Sequence, residues 1–152
     1  MLIPADKNAF LMRLSERGRF WSVPFEDLSS AEQVFRSIWD LESDVNNGGF
    51  DQYYFNSSGD TAFAVVDALE KVGAQDTARI VAQANSIFPE AIPPTDRDRR
   101  QEILALLTPE MEAVLQVLDE RFTRYPDNLT DLLFDYVSEK AAEIHGAQDS
   151  IE

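Results

Sequence analysis

Five carboxylates, Asp127, Asp131, Asp135, Glu139 and Glu143, follow one another at four-residue intervals near the end of the sequence. On one helix that interval sets acids roughly 6 Å apart along a slowly turning line, at about 1.5 Å of rise per residue. Such a row can present anions to a cationic partner in the places where a duplex presents phosphates. It does so against its own electrostatics, since like charges one turn apart weaken a helix by about 0.2–0.5 kcal/mol per pair. Only Lys140 lies nearby to offset them. Asp127 and Asp131 also suit the positive end of a helix dipole, whereas Glu139 and Glu143 sit where the dipole disfavours them.

A second acidic group, Asp40, Glu42, Asp44 and Asp51, surrounds the stretch "VNNGGFDQYYFNSSGD" at 45–60. Two readings of this stretch are open. Asn46, Asn47, Gln52, Tyr53 and Tyr54 have the composition of a small-molecule pocket, with aromatic walls and a few convergent polar groups. Alternatively, Asn47 or Gly48 takes the left-handed conformation that ends a helix, and Gly49 permits close approach of another segment. Phe50 and the tyrosines then pack the next helix onto the core.

Other chemistry lacks its residues. The sole histidine, His145, precedes Gly146 and suits hydrogen bonding at a helix end. There is no cysteine, so neither zinc nor disulfide chemistry is expected. No Glu-x-x-His pair suggests a carboxylate-bridged metal site. A calcium loop starting at Asp44 would need glutamate where Phe55 stands, and "NNGG" lacks the lysine and spacing of a phosphate loop. Nothing selects a catalytic acid–base pair among the acids, so the expectation is a protein that is not an enzyme and holds no metal or cofactor.

The 152 residues carry 28 acids against 13 bases, a net charge of −15. The excess is local: residues 20–78 contribute −9 and residues 127–152 contribute −6, whereas residues 1–19 are net +2. A localised negative field repels nucleic acid and anionic membranes and attracts basic partners. No apolar run approaches the roughly 20 residues of a membrane span, and no signal-peptide layout is present. A cytoplasmic location is expected.

The elements that must position these groups read as helices throughout. A short helix is predicted at Lys7–Arg17, then an aromatic link, "RFWSVPFEDL". Ser29 and Glu32 have capping-box spacing and open a helix with Val34, Phe35, Ile38, Trp39, Leu41 and Val45 on one stripe. A short helix follows from Phe50 to Asn56. Ser58 or Asp60 is expected to cap the next, which ends at Gly73, and another runs from Gln75 or Asp76 to Phe88. After the extended linker "PEAIPPTD" come a helix over "RDRRQEILALL", one from Thr108 to about Tyr125, and a last one from about Asn128 to His145. This predicts a single all-α domain of seven or eight helices without significant sheet. Its parts are an N-terminal helix and link over 1–27, a core over 28–146 and a frayed tail over 147–152.

The motif at 45–60, followed by "ALEKVGAQDTARIVAQANSIFP", resembles the signature of the bacterial DNA-mimic protein family. Asn46, Asn47, Gly48, Gly49, Phe50, Tyr53, Tyr54 and Asn56 match the family motif, and the match implies a mainly architectural role for them. The resemblance implies an all-helical, dimeric protein without catalytic residues. It implies further that surface carboxylates occupy the DNA-binding face of a helix-turn-helix regulator and keep it off its operator. For this chain the nominated acids are the two groups named above. The alternatives are a ligand-binding protein using the asparagine–glycine–tyrosine motif, or an acidic interaction scaffold.

Overall fold

In the computed structural model, which describes residues 6–147, every regular element is helical. The α-helices are α1 (Lys7–Arg17), α2 (Ser30–Phe55), α3 (Ala62–Lys71), α4 (Gln75–Asn85), α5 (Arg97–Ala105), α6 (Pro109–Thr123) and α7 (Leu129–Glu139), with short 3-10 turns in the links α1–α2, α2–α3 and α4–α5 and after α7. No strand occurs among the described residues. The expected frayed tail falls outside them from position 148 onward. The chain divides into two compact units, one of residues 6–36 with 128–147 and one of residues 37–127.

In the first unit, α1 begins where Asp6 accepts from the Ala9 amide and stops at Gly18, whose N–H returns to the Leu14 carbonyl. Phe10, Leu11 and Leu14 are buried from this helix, and Leu129, Leu133, Phe134 and Val137 from α7. Phe10 meets Phe134 edge-on, with ring centroids 5.1 Å apart. The aromatic link buries Phe20 against Phe35, stacked at 4.4 Å. The capping box forms as the spacing predicts. The Ser29 amide donates to Glu32 Oε1 at 3.0 Å, and the Glu32 amide donates to Ser29 Oγ at 3.1 Å.

The second unit is built on the remainder of α2 with α3 to α6. Ile38, Leu41 and Val45 continue its buried stripe, and Phe50, Tyr53 and Tyr54 are wholly buried past the break. Full burial of each such side chain contributes about 1.5–3 kcal/mol. Phe50 and Tyr54 stack at 6.0 Å, Phe122 meets Phe50 edge-on at 5.9 Å and Phe88 meets Tyr54 at 4.8 Å.

Several boundaries differ from the sequence reading. The left-handed residue of the "NNGG" stretch is Gly49, at φ 77° and ψ −175°; Asn47 remains helical and Gly48 sits at φ −157°. Neither Ser58 nor Asp60 caps α3, because a 3-10 turn over Ser57–Thr61 intervenes. The proline linker is not simply extended, since Glu90 and Ala91 both lie at φ 58° in a 3-10 turn. The last helix ends at Glu139, about a turn and a half early. There, tertiary bonds take up backbone groups that another helical turn would have satisfied internally. Ser29 Oγ donates to the Glu143 carbonyl at 2.7 Å, and the His145 amide donates to Glu32 at 3.3 Å.

Candidate functional site

The row of five acids does not survive as a row. Asp127 precedes α7, and its Oδ2 accepts from the Thr77 amide at 2.8 Å and the Thr77 hydroxyl at 2.9 Å. It caps the first turn of α4, where the local cap position is Ala74 and supplies no side-chain acceptor. Asp131 pairs with Lys7 at 3.3 Å and accepts from the Asn128 side chain at 2.9 Å. Glu143 lies on a separate 3-10 turn, 4.0 Å from Lys140. Asp135 and Glu139 remain: both are exposed on α7 and neither enters an ion pair among the described residues. Tyr136 feels the acids nearby, as burial pushes its hydroxyl up and the charges of Glu143 and Glu139 push it further.

The second acidic group is similarly divided. Glu42 accepts from the Tyr125 hydroxyl at 2.9 Å, and burial raises its carboxyl although that bond opposes the shift. Asp44 accepts from Gln52 Nε2 at 2.9 Å through Oδ1, while its Oδ2 is buried without a partner. Asp51 is exposed and Asp40 is partly buried. Asp51, with Glu120, helps to raise the pKa of Asp119, for which burial is the leading cause.

The motif itself is closed by its own side chains. Asn46 donates to the Tyr125 hydroxyl at 2.5 Å, and Asn47 donates to Gln52 Oε1 at 3.1 Å. Tyr53 and Tyr54 are 0% exposed, and the Tyr54 hydroxyl donates to Asn85 Oδ1 at 2.6 Å. The buried Tyr53 hydroxyl has no partner, and burial carries both phenols well above their ordinary range. A ligand sought between these rings meets packed aromatic side chains instead of space. That removes the observation on which a pocket reading depends.

Three residues with central roles carried no signal in the sequence pattern. Asp119 Oδ1 accepts from the Phe50 amide at 2.8 Å, directly past the glycine break. Tyr125, at φ 52°, brings its hydroxyl between Asn46 and Glu42. Arg100 is 0% exposed and donates to the carbonyls of Tyr54, Asn56, Pro94 and Thr95 and to Asp60 Oδ1 at 2.7 Å. A β-carbon at Gly59 would lie 2.9 Å from Arg100 Nε, so that glycine leaves room for the guanidinium. These contacts hold the α2 C-terminus, and its partners Asp119 and Arg100 lie far from it in sequence.

One concavity in the first unit, about 400 Å³, is lined by Arg19, Ala141 to His145 and Gly146. Its cation is already matched, because Arg19 Nε and Nη2 donate to the buried Glu32 at 2.9 and 2.8 Å. Among the described residues no group of three or more His, Cys, Asp or Glu is placed to hold a metal ion. No helix among them is long and apolar enough to cross a membrane.

What the arrangement offers outward is charge. The 37–127 unit carries seventeen acids and seven bases, net −10. Exposed Asp51, Glu110, Glu112 and Glu120 on it enter no ion pair among the described residues. No curated protein and no solved structure matches the chain. The family model described as "DMP19-like protein" matches residues 26–140, three quarters of the sequence and the whole of the asparagine–glycine motif, so the chain belongs to the DMP19-like family.

Proposed function

We propose that this protein is a cytoplasmic DNA mimic that acts by binding, not by catalysis. Its exposed carboxylates cover the basic DNA-binding surface of a helix-turn-helix transcriptional regulator and so block the operator. Membership of the DMP19-like family is compatible with that role. The observation that carries the reading is an acidic excess that the fold leaves uncompensated at its surface. Asp135 and Glu139 on α7, and Asp51, Glu110, Glu112 and Glu120 in the 37–127 unit, are exposed without ion pairs among the described residues. The chain itself, at −15, is repelled by nucleic acid and by anionic membranes.

Charge complementarity of this kind speeds encounter and sets specificity, and it weakens as salt shortens the Debye length from about 10 Å at 0.1 M to about 3 Å at 1 M. The test is capture from a lysate at low salt, followed by competition between this protein and operator DNA for the regulator captured. Release of the regulator from DNA, lost on raising salt, supports the proposal. Failure to retain any basic DNA-binding protein at low salt sinks it. The triple reversal Asp51→Lys, Asp135→Lys and Glu139→Lys then identifies the surface, and unchanged regulator affinity would remove these acids from it.

A further inference from the structure

The chain beyond α7 is held in a shape that the acidic surface does not explain. α7 stops at Glu139, and residues 141–146 wrap with Arg19 around the concavity of about 400 Å³. That size falls within the roughly 300–1,000 Å³ of small-molecule sites. Two bonds pin this strap, Ser29 Oγ to the Glu143 carbonyl at 2.7 Å and the His145 amide to Glu32 Oε2 at 3.3 Å. Glu32 also orients the cation that lines the concavity. It is 0% exposed, and its donors hold its carboxyl at about 2, so it stays ionised at neutral pH. Its oxygens take Arg19 Nε and Nη2 at 2.9 and 2.8 Å. This matches the charge of the guanidinium but occupies only one of its edges. The edge formed by Nη1 and the remaining hydrogen of Nη2 makes no hydrogen bond among the described residues, and the side chain is 42% exposed. Two parallel N–H groups on such an edge fit an oxyanion, carboxylate or phosphate.

We propose that this concavity binds a small zwitterion of the amino-acid class, its carboxylate on the open edge of Arg19 and its ammonium against Glu143. The second half of the assignment comes from charge. Glu143 lines the same concavity and is exposed, and its ion pair with Lys140 is stretched to 4.0 Å. The whole chain is net −15. A bare dianion such as phosphate meets that field and is repelled, whereas a carboxylate that carries its own ammonium is neutral overall and finds a counter-charge at each end. The exposed His145 adds a polar group to the lining. Arg19 is preoriented by a buried carboxylate, and the strap by two hydrogen bonds, so little ordering is left for the ligand to impose. Binding here is a property of the protein alone, and its failure leaves the proposed action on a regulator untouched.

The test follows backbone amide shifts of the full chain by heteronuclear NMR. The probes are a panel of free L-amino acids, with acetate, methylammonium and inorganic phosphate as compounds that carry only one kind of charge. At least one amino acid should shift the amides of residues 141–146 in a saturable way. Acetate, methylammonium and phosphate should each bind at least roughly tenfold more weakly, equivalent to about 1.4 kcal/mol. Glu143→Gln should weaken the amino acid roughly tenfold while leaving acetate no weaker. Its melting temperature should not change, because Glu143 is tied to the fold through its backbone carbonyl. Arg19→Lys, which keeps a cation beside Glu32 but loses the fork, should weaken amino acid and acetate alike, with circular dichroism confirming that it folds. A panel without a binder, acetate or phosphate binding as tightly as the best amino acid, or an amino acid indifferent to Glu143→Gln would each overturn the assignment.

Discussion

The amide of Phe50 and the carboxylate of Asp119 are joined at 2.8 Å across the break in α2, and Gly49 is what allows the approach. A β-carbon on Gly49 would collide with the Asp119 carboxylate, and the glycine's φ of 77° already disfavours any other residue. Gly49→Ala should therefore destabilise the protein by about 2 kcal/mol or more, from backbone strain and loss of the bond together. Asp119→Ala should cost about 1–3 kcal/mol, because it leaves a backbone donor unsatisfied. Asp119→Asn, which keeps the acceptor, should cost less than the alanine variant. Chemical denaturation of the three variants checks the order, and equal losses for Asn and Ala would remove the hydrogen bond from the account.

Glu32 sets the acid limit. Burial pushes its carboxyl up, but donors from Arg19, Ser29 and His145 more than reverse this and bring it to about 2 from an ordinary 4.5. A carboxyl depressed in the folded state stabilises fully above its unfolded pKa and loses that stabilisation as pH falls through the folded one. The loss should fall between about pH 4.5 and 2. Glu42 and Asp119 act with the opposite sign, since their raised values penalise the fold above their pKa and relieve it as they protonate. Melting temperature should therefore rise modestly as pH falls from neutrality, then drop below about 4.5. Glu32→Gln should abolish the steep acid branch and cost about 2–3 kcal/mol at neutral pH, discounted because Arg19 is partly exposed. An acid branch unchanged in Glu32→Gln would assign it to other carboxylates.

Arg100 should tolerate no replacement. Its guanidinium, 0% exposed, serves four carbonyls and Asp60 at once, a load that the planar five-donor fork meets and a lysine ammonium cannot. Arg100→Lys should cost at least about 2 kcal/mol, since carbonyls at the α2 C-terminus are left unmet. Arg100→Ala should cost at least about 3 kcal/mol, with a buried cavity added and Asp60 stranded. By contrast Arg99→Ala, whose exposed partner Glu102 lies at 3.2 Å, should leave the melting temperature unchanged. Equal stability of the Arg99 and Arg100 variants would sink the claim.

Local information carried the elements well and the site poorly. The capping box of Ser29 and Glu32, the Lys7–Arg17 extent of α1 and the start of α6 at Thr108 were legible because each bond joins residues close in sequence. The fate of the acids was not, because it is decided by partners far along the chain. Asp127 meets Thr77, fifty residues away, and Glu42 meets Tyr125, eighty-three away. The early end of α7 has the same cause, since Ser29 and Glu32 claim the backbone of residues 143 and 145 from across the sequence. The motif was conspicuous in sequence because paired asparagines and glycines run directly into a cluster of aromatic residues. Its partners Asp119, Asn85 and Arg100 lie 31 to 69 residues off and had no pattern to reveal them.

Two members of the apparent acidic row should behave in opposite ways. Asp127→Asn weakens the bonds to the Thr77 amide and hydroxyl, 2.8 and 2.9 Å long, and removes a negative charge from the N-terminus of α4. Loss of such a cap costs about 0.5–2 kcal/mol with alanine and less with asparagine, so the melting temperature should fall in the order wild type, Asn, Ala. Asp135, exposed on α7 and outside any ion pair among the described residues, should show no such change with either substitution. If it contributes to a basic partner's recognition, Asp135→Asn instead reduces the salt sensitivity and the on-rate of that binding, because exposed charges act mainly on encounter. Equal thermal effects at the two positions would mean that the acids function as one row, against the geometry; a thermal effect at Asp127 alone supports their separation into a cap and a surface charge.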